Sequence, residues 1–447
     1  MRFRIAFLLL FSATVINAQN WAPVSSGITG SSPNTTWSLC AYDSVLFAGG
    51  WFTTAGGAAA NSLAQWNGTN WDSLGTGTDG YINAMAVYLD TLYAGGLFSK
   101  IGGIAASNVA KWNGINWMPA GAGLKGGDYG VYAMAVYNNA LYAAGSFDSS
   151  GSKAIFGIAR WNDTDWSALD NQIYSIEEDD AVFALAVYKG ELYIGGDFAI
   201  SGGSNIAAWN GTTMSNVGGG TTGNIYSLAV YNNQLYIGGM ITQAGAIQAN
   251  CIAAWNTSAW SSPDSGIWGE NTYALVNALT VYNGELYAGG FFDTVNGQAI
   301  NCIAKWNGSK WSPVGSGINV GGAIDAMTVY HNSLYVGGGF DSAGGVSAKN
   351  IAQWSMPSAI NKLDESNFVE IYPNPNNGVF TLVCHYEQRE ESLQINVYTI
   401  SGEQLLTETL RYSQGDNLID LTGQPCGIYI LTVCDANKQY TARLIKD

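Results

Sequence analysis

The chain repeats one stretch of roughly 50 residues seven times, and this repetition constrains its fold more than any other feature. The clearest copy covers residues 277–311. Each copy carries a marker tyrosine at the same place, and the seven are Tyr42, Tyr88, Tyr137, Tyr188, Tyr231, Tyr282 and Tyr330. Successive marker tyrosines are 43 to 51 residues apart. Such a chain builds one supersecondary unit several times and stacks the copies against each other.

Within a copy, the pattern predicts four short antiparallel strands. In the clearest copy, residues 278–290 form two β-rich runs around an Asn-Gly pair at 283–284, which is the strongest short hairpin signal. After a loop, residues 303–311 form a second hairpin around the Asn-Gly pair at 307–308. Four-stranded units at this period predict the blades of a β-propeller.

The N terminus carries the strand that the seventh copy lacks. Residues 20–27 match only the fourth strand of a copy, whereas the last copy stops after its third strand at Trp354. If this strand completes the last blade, no open sheet edge remains. The sequence therefore predicts an all-β fold in which residues 19–356 form a seven-bladed propeller closed by the N-terminal strand.

The composition limits the class of partner. Aspartate and glutamate outnumber lysine and arginine 33 to 17, which gives a net charge of −16. Nucleic acids and anionic membranes repel such a surface, so neither is an expected partner. We expect a neutral or cationic ligand.

Residues 1–18 have the pattern of a secretory signal peptide. Arg2 and Arg4 precede an apolar run at residues 5–11, and Ala18 is a small residue at the expected cleavage site. The apolar run is too short to cross a membrane, which takes about 20 residues. We therefore predict export through the Sec pathway and no transmembrane anchor.

Six cysteines in so long an exported chain do not make a disulfide framework. Cys251 and Cys302 occupy the same position in neighbouring copies. Equivalent points on packed sheets lie about 10 Å apart, which is too far for a disulfide. We expect both to be small buried thiols.

Loop lengths indicate which face carries function. The two hairpin turns have the same length wherever a copy is complete, and both fall on one face of the predicted propeller. The loop between the second and third strands and the connection to the next copy emerge on the opposite face, here called the long-loop face. The distance from the fourth-strand tryptophan to the next marker tyrosine varies from 17 to 22 residues. Variable loops on a rigid scaffold are where binding usually occurs.

A set of seven residues at the mouth of the predicted propeller is the main candidate site. Each lies five residues before a marker tyrosine, and the set is Trp37, Asn83, Tyr132, Phe183, Tyr226, Asn277 and Asp325. Aromatic faces beside amide and carboxylate groups suit sugar rings or a peptide side chain. The alternative is that these side chains only pack the mouth.

A second candidate is the acidic loop formed by Glu177, Glu178, Asp179 and Asp180. A carboxylate pair could hydrolyse a glycosidic bond or bind Ca²⁺. The alternative is a solvated acidic loop, because adjacent residues do not face a common point.

The chain has too few histidines for the sites that depend on them. His331 and His385 are the only two, so we expect neither a histidine metal site nor a Ser-His-Asp triad. Apart from Ca²⁺, we expect no cofactor, and we assign no catalytic residue.

The repeats resemble those of a known family. The double glycine that ends the second strand and the tryptophan that follows are similar to kelch repeats. The motifs Leu-Tyr-Ala-Gly-Gly at 286–290 and Ile-Ala-Lys-Trp-Asn-Gly at 303–308 resemble the repeats of the kelch-like extracellular propellers of fungal cortical polarity markers and bacterial surface proteins. The resemblance covers residues 20–354 and implies a propeller, a fold that serves binding proteins and some enzymes.

The repeat ends before a linker at residues 357–368, and residues 369–447 read as a small β-sandwich. The Tyr-Pro-Asn-Pro motif at 372–375, the Gly-Ile-Tyr strand at 427–429 and the basic end at 443–446 resemble the C-terminal sorting domain of the type IX secretion system of Bacteroidetes. The resemblance implies an address that the type IX machinery reads after Sec export and that is commonly removed at the cell surface.

Two functions remain from the sequence. One is a secreted or cell-surface binding or adhesion module for a glycan or protein ligand. The other is a carbohydrate-active enzyme with its active site on the long-loop face. The near-uniform copies favour binding, since an active site usually breaks the regularity of several repeats.

Overall fold

The computed structural model describes residues 20–30, 34–127, 130–169, 181–268, 274–319 and 321–355, followed by 369–372, 379–384, 393–399, 404–410, 417–425, 427–434 and 439–446. Gln19–Ser355 forms one compact unit, and the C-terminal residues belong to another. Every regular element among the described residues is a β-strand, which confirms the all-β class. No helix among them has the length and apolarity needed to cross a membrane. The predicted signal peptide and the linker at 357–368 lie outside the described residues.

The described part of the first unit contains seven four-stranded antiparallel sheets, numbered 1 to 7 after their marker tyrosines. The first strands are Thr35–Tyr42, Tyr81–Tyr88, Val131–Tyr137, Ala181–Tyr188, Ile225–Tyr231, Leu275–Tyr282 and Ala323–Tyr330. The second strands are Val45–Trp51, Thr91–Leu97, Ala140–Gly145, Glu191–Ile200, Gln234–Gly239, Glu285–Phe291 and Ser333–Gly339. The third strands are Leu63–Trp66, Val109–Trp112, Ile158–Trp161, Gly203–Trp209, Ile252–Trp255, Ile303–Trp306 and Ile351–Ser355. The fourth strands of sheets 1 to 6 are Trp71–Ser73, Trp117–Pro119, Trp166–Ala168, Met214–Asn216, Trp260–Ser261 and Trp311–Pro313.

Sheet 7 takes its fourth strand from the N terminus. Asn20–Pro23 pairs antiparallel with Ile351–Ser355 and places Trp21 opposite Trp354. Both indoles are buried, with ring centroids 5.1 Å apart. The Trp21 indole N–H also donates to the Val314 carbonyl in sheet 6, at 3.1 Å. The N-terminal strand therefore joins the two ends of the repeat array.

Local turn chemistry forms both hairpins of each sheet. In the first turn both central residues have positive φ, as in Asn283 at 49° and Gly284 at 73°. This is the type I′ geometry that suits the twist of paired strands. In the second turn the side-chain oxygen of Asn307 accepts the backbone N–H groups of Ser309 and Lys310, at 2.9 and 3.0 Å. An asparagine makes the same pair of bonds in sheets 1 to 5.

The first strands of successive sheets contact each other, and the first strand of sheet 7 contacts that of sheet 1. Six marker tyrosines donate their hydroxyl to a backbone carbonyl in the first turn of the next sheet, at 2.8–3.0 Å. The bond from Tyr330 reaches Ser44 and so links sheet 7 to sheet 1, at 2.8 Å. The face that carries both hairpin turns, here called the tight-turn face, is therefore held by a series of hydrogen bonds between sheets.

The first strands are only partly buried. Large and small residues alternate along them, yet positions such as Leu39 and Leu279 are half-buried. Val136 and Val187, each just before a marker tyrosine, are 41% exposed. These strands pair with a neighbour along one edge only, so solvent reaches the other edge. The bulk of the core lies farther out, in clusters of second- and third-strand residues, loop residues such as Phe52, and the tryptophan pairs of the third and fourth strands.

The long loops between second and third strands carry short ribbons. Their strands are Thr54–Ala55 and Ala58–Ala59, Lys100–Ile101 and Ile104–Ala105, Ser149–Ser150 and Lys153–Ala154, Gln243–Ala244 and Ile247–Gln248, Thr294–Val295 and Gln298–Ala299, and Ser342–Ala343 and Val346–Ser347. The connection that enters a sheet adds a third strand to three of them: Ile28–Thr29, Thr221–Thr222 and Ile267–Trp268. In sheet 4 the second and third strands themselves extend into the loop.

The second unit contains two antiparallel sheets in its described part. The three-stranded sheet has the order Val369–Tyr372, Val379–Cys384, Asn417–Asp420. The four-stranded sheet has the order Gln404–Leu410, Leu393–Thr399, Gly427–Cys434, Gln439–Lys446. Phe380 and Ile419 from the first sheet share one buried cluster with Ile395, Val397 and Leu431 from the second. The two sheets therefore pack on a common core.

Candidate functional site

Each of the seven residues predicted at the mouth is the extra residue of a β-bulge. In sheet 6, Val276 pairs with Gly290 and Ala278 pairs with Gly289, so Asn277 has no partner in the register. The register between the first and second strands shifts at the equivalent residue in the other six sheets. A bulge re-aims a side chain and interrupts the pairing of its strand. The fold therefore gives these seven side chains one common geometry.

The double glycine that six of the seven copies carry on the second strand allows this bulge. A Cβ on Gly290 would overlap the Leu275 carbonyl oxygen on the bulged strand. A Cβ on Gly289 would lie 2.6 Å from Cγ2 of Ile324, in the first strand of the next sheet. The glycines thus let the bulged strand and the neighbouring sheet approach closely. In sheet 3, Ala144 replaces the first glycine without loss of the bulge.

Three of the bulge residues form an aromatic arc across sheets 3, 4 and 5. The Phe183 ring lies 5.0 Å from that of Tyr132, at an interplanar angle of 74°, and 5.2 Å from that of Tyr226. All three side chains are half-buried, so part of each remains available to solvent. Edge-to-face packing of this kind holds the rings in place before any ligand arrives.

A polar arc continues across sheets 6, 7 and 1. The Asn277 amide donates to Oδ1 of Asp325 at 2.8 Å, and the Thr35 hydroxyl donates to Oδ2 at 3.0 Å. Burial raises the pKa of Asp325, and the hydrogen bonds from Thr35 and Asn277 oppose this only in part. The carboxyl group therefore keeps its proton to a higher pH than an ordinary aspartate does.

Trp37 belongs to a third cluster, with two aromatic residues that the sequence reasoning missed. Its ring lies edge-on to Tyr81 of sheet 2, at 5.1 Å and 77°. Tyr81 in turn stacks on Trp51, with centroids 5.4 Å apart and planes inclined by 22°. Trp51 is 42% exposed. Asn83 occupies the bulge of sheet 2, between the sheets of Trp37 and Tyr132.

The sequence does carry a signal for Trp51 and Tyr81, because each differs in type from the residues at the same position in the other copies. The position of Trp51 is filled in the other copies by Leu97, Ser146, Asp197, Met240, Phe291 and Gly339. The position of Tyr81 is filled by Thr35, Gly130, Ala181, Asn224, Leu275 and Ala323. An aromatic residue at both positions of adjacent sheets occurs only at the junction of sheets 1 and 2.

A cleft of about 620 Å³ lies beside this cluster, between sheets 1 and 2 on the long-loop face. Trp51 and Tyr81 line it together with the polar residues Asn61, Asp79 and Ser99. Asp79 Oδ1 accepts the backbone N–H groups of Ser99 and Lys100, both at 2.8 Å, and Oδ2 accepts the Ser99 hydroxyl at 2.5 Å. Burial raises the pKa of Asp79, but these hydrogen bonds lower it by more, so the pKa lies below its ordinary value.

The remaining candidates contribute no described site. The acidic loop at Glu177–Asp180 lies outside the described residues, so its suitability for Ca²⁺ remains a prediction. Nowhere in the described ranges do three His, Cys, Asp or Glu side chains come together as a metal site requires. His331 lies in a tight turn and stacks on Tyr330, with centroids 4.0 Å apart.

Comparison with known proteins identifies the C-terminal part. Residues 370–447 match the family model of the secretion system C-terminal sorting domain, which confirms the predicted type IX address. A search among curated proteins finds no match to this chain. The sorting domain implies export through the type IX secretion system, whose machinery is a partner of the chain.

Proposed function

We propose that this chain, which carries a type IX sorting domain at its C terminus, is a cell-surface binding or adhesion protein. Its binding part is a seven-bladed kelch-like β-propeller spanning residues 19–356. Seven four-stranded sheets support this architecture, as do the contacts that lead from each first strand to the next and from sheet 7 back to sheet 1. The N-terminal strand in sheet 7 removes an edge that would otherwise pair with other chains.

The observation that carries the proposal is the set of seven bulges. The bulge geometry is the same in every sheet, yet the side chains it presents are aromatic in four sheets and polar in three. A scaffold that keeps its backbone constant and varies the side chains at one mouth is suited to recognition. Half-buried aromatic rings and an amide–carboxyl pair suit a glycan or a segment of a protein.

The proposal also includes the route by which the chain reaches the cell surface. Residues 1–18 direct the chain to the Sec pathway, and the tail is then read by the type IX machinery. The linker at 357–368 is where the tail is removed at the surface. The net charge of −16 keeps nucleic acid and anionic membranes away from the mature protein.

A carbohydrate-active enzyme is the weaker alternative. Hydrolysis of a glycosidic bond uses two carboxyl groups on opposite sides of the bond. At the mouth the side chains hydrogen-bonded to Asp325 are Asn277 and Thr35, neither of them an acid. The acidic loop at Glu177–Asp180 is the other source of carboxylates for this alternative.

A glycan and protein array probed with the mature chain tests the proposal. We expect capture of a ligand, and Tyr132→Ala or Tyr226→Ala should weaken it by about 1–3 kcal/mol, as loss of an aromatic anchor does elsewhere. Ile115→Ala is a matched control, because this side chain is 77% exposed on the tight-turn face. Capture that is unchanged by both mouth variants, with polysaccharide turnover that is lost in Glu178→Gln, would favour the enzyme instead.

A further inference from the structure

We infer that the cleft between sheets 1 and 2 is a second binding site, which adjoins the mouth at Trp37 and takes a neutral glycan by stacking a sugar ring on the Trp51 and Tyr81 platform. This inference rests on the proposed function only in taking the chain to be a binding protein. The chemistry of the cleft itself identifies the class of ligand.

The aromatic platform is exposed and already in place. Trp51 is 42% exposed, whereas the paired tryptophans farther out in sheet 1, Trp66 and Trp71, are 7% and 6% exposed. Tyr81 stacks on Trp51 at 5.4 Å, and Trp37 meets both rings edge-on. A platform fixed by its own packing loses little conformational entropy when a ligand binds. Its flat apolar surface suits the C–H face of a sugar ring, which is likewise apolar and bordered by hydroxyl groups.

The polar wall of the cleft is also fixed. The three bonds that Asp79 accepts attach the loop at Ser99 and Lys100 to the connection that enters sheet 2. The Asn61 amide donates to the Thr76 carbonyl at 3.1 Å, which orients that side chain. Hydroxyl, amide and carboxyl groups along one wall, with the aromatic platform beside them, match the mixed surface of a saccharide. The volume of about 620 Å³ falls in the ordinary range of ligand pockets, about 300–1,000 Å³.

Charge distinguishes a neutral glycan from two other ligands. The lowered pKa of Asp79 keeps its carboxylate ionised at neutral pH, and this charge disfavours acidic sugars and phosphates. A cationic peptide could stack an arginine on Trp51, but the two parallel hydrogen bonds that an arginine makes to a carboxylate need acceptor positions on both oxygens. Both oxygens of Asp79 already accept donors from the protein. A neutral ligand therefore fits the cleft best.

The repeat supplies a matched control. Phe291 is the counterpart of Trp51 in sheet 6 and is 38% exposed. The counterpart of Tyr81 in the next sheet is Ala323, so Phe291 lacks the stacked partner. Phe291→Ala removes a ring of similar exposure on the same face without affecting the proposed platform.

The test measures binding of soluble oligosaccharides to the mature chain by calorimetry and tryptophan fluorescence. The neutral probes are hexamers of β-1,4-glucan, β-1,3-glucan, β-1,4-mannan and β-1,4-xylan, and the charged probes are a galacturonate hexamer and an arginine-rich peptide. We expect at least one neutral hexamer to bind, with Trp51→Ala and Tyr81→Ala each weakening it by about tenfold or more. Trp51→Phe should keep part of the affinity, and Phe291→Ala should keep all of it. Thermal melting of each variant checks that it folds.

The outcomes separate this inference from the proposed function. If no neutral hexamer binds, if only a charged probe binds, or if Trp51→Ala binds as the unmodified chain does, the cleft is not a glycan site. Binding that is lost in Tyr132→Ala but kept in Trp51→Ala overturns the cleft and supports the mouth. Binding that is lost in Trp51→Ala but kept in Tyr132→Ala and Tyr226→Ala supports the cleft, and then the mouth is not the site for that ligand.

Discussion

Replacing Cys302 by asparagine should stabilise the protein, although the cysteine is buried. Cys251 and Cys302 are free, buried thiols, which confirms that no disulfide joins them. Both have left-handed backbone, with φ of 60° and 62°. The position lies four residues before the third-strand tryptophan, and its φ is 59–67° in every sheet: Ser62, Asn108, Gly157, Asn205, Cys251, Cys302 and Asn350.

The size of the effect follows from the copies that carry asparagine. Asn350 Oδ1 accepts the Phe340 backbone N–H at 3.1 Å, and its amide donates to the Ile28 carbonyl at 2.8 Å. At Cys302 the thiol donates to the Gly322 carbonyl, at 3.1 Å, and a thiol is a weak donor. Asparagine tolerates left-handed backbone better, by about 1 kcal/mol, and a better hydrogen bond adds about 0.5–1.5 kcal/mol. Cys302→Asn should therefore raise the free energy of unfolding by about 1.5–2.5 kcal/mol.

Urea denaturation followed by tryptophan fluorescence measures this change. Burial raises the pKa of the Cys302 thiol to about 11, so the comparison at pH 7 involves a neutral group. The control is Cys40→Asn, because Cys40 lies in a first strand and is half-buried, and its backbone is not left-handed. That variant should gain nothing. The reasoning is refuted if Cys302→Asn unfolds at lower urea than the unmodified chain, or if both substitutions have the same effect.

Four further predictions concern other parts of the chain. Asp325→Asn should raise the melting temperature at pH 7 and above, because an aspartate whose pKa is raised by folding stabilises the protein below its unfolded pKa and loses that contribution as the pH rises. A pH series of melts should therefore show that the increase in melting temperature disappears in acid. Tyr330→Phe should cost about 0.5–1.5 kcal/mol of stability because its bond to the Ser44 carbonyl is lost, and an unchanged urea midpoint would contradict this. Deleting residues 19–30 should leave the edge of Ile351–Ser355 unpaired and reduce solubility and cooperativity, whereas a truncated chain that melts like the full one would exclude closure by this strand. Mass spectrometry of protein from the cell surface should find chains that end near residues 357–370, and intact tails there, with export unaffected by tail deletion, would contradict removal of the sorting domain.

Much of the fold could be predicted because its signals are local. Asn283-Gly284 encodes a type I′ turn within four residues, and Asn307 caps the second turn through its own side chain. The four-stranded antiparallel sheets and the all-β class follow from such turns and the runs between them. The tail was recognised for the same reason, since its motifs lie within short segments, and the match at residues 370–447 confirms it.

The candidate site was predicted only in part. Spacing alone placed the seven mouth residues at one level of the repeat, and Asn277 and Asp325 do meet there. Spacing did not reveal that each lies in a bulge, because a bulge depends on the register in which two strands pair and not on one strand alone. It also gave no sign that solvent reaches the first strands at Val136, because exposure depends on what the unpaired edge faces.

The sequence by itself determined the class of fold, the number of repeats, the turns and the sorting domain, since the signal for each lies within a few neighbouring residues. Only the tertiary structure decided that Trp37, Trp51 and Tyr81 meet beside a cleft. Trp51 ends a strand of sheet 1, and Tyr81 begins a strand of sheet 2. Whether such side chains touch depends on the direction of each bulge and on how closely two sheets approach, and neither quantity is local to the chain.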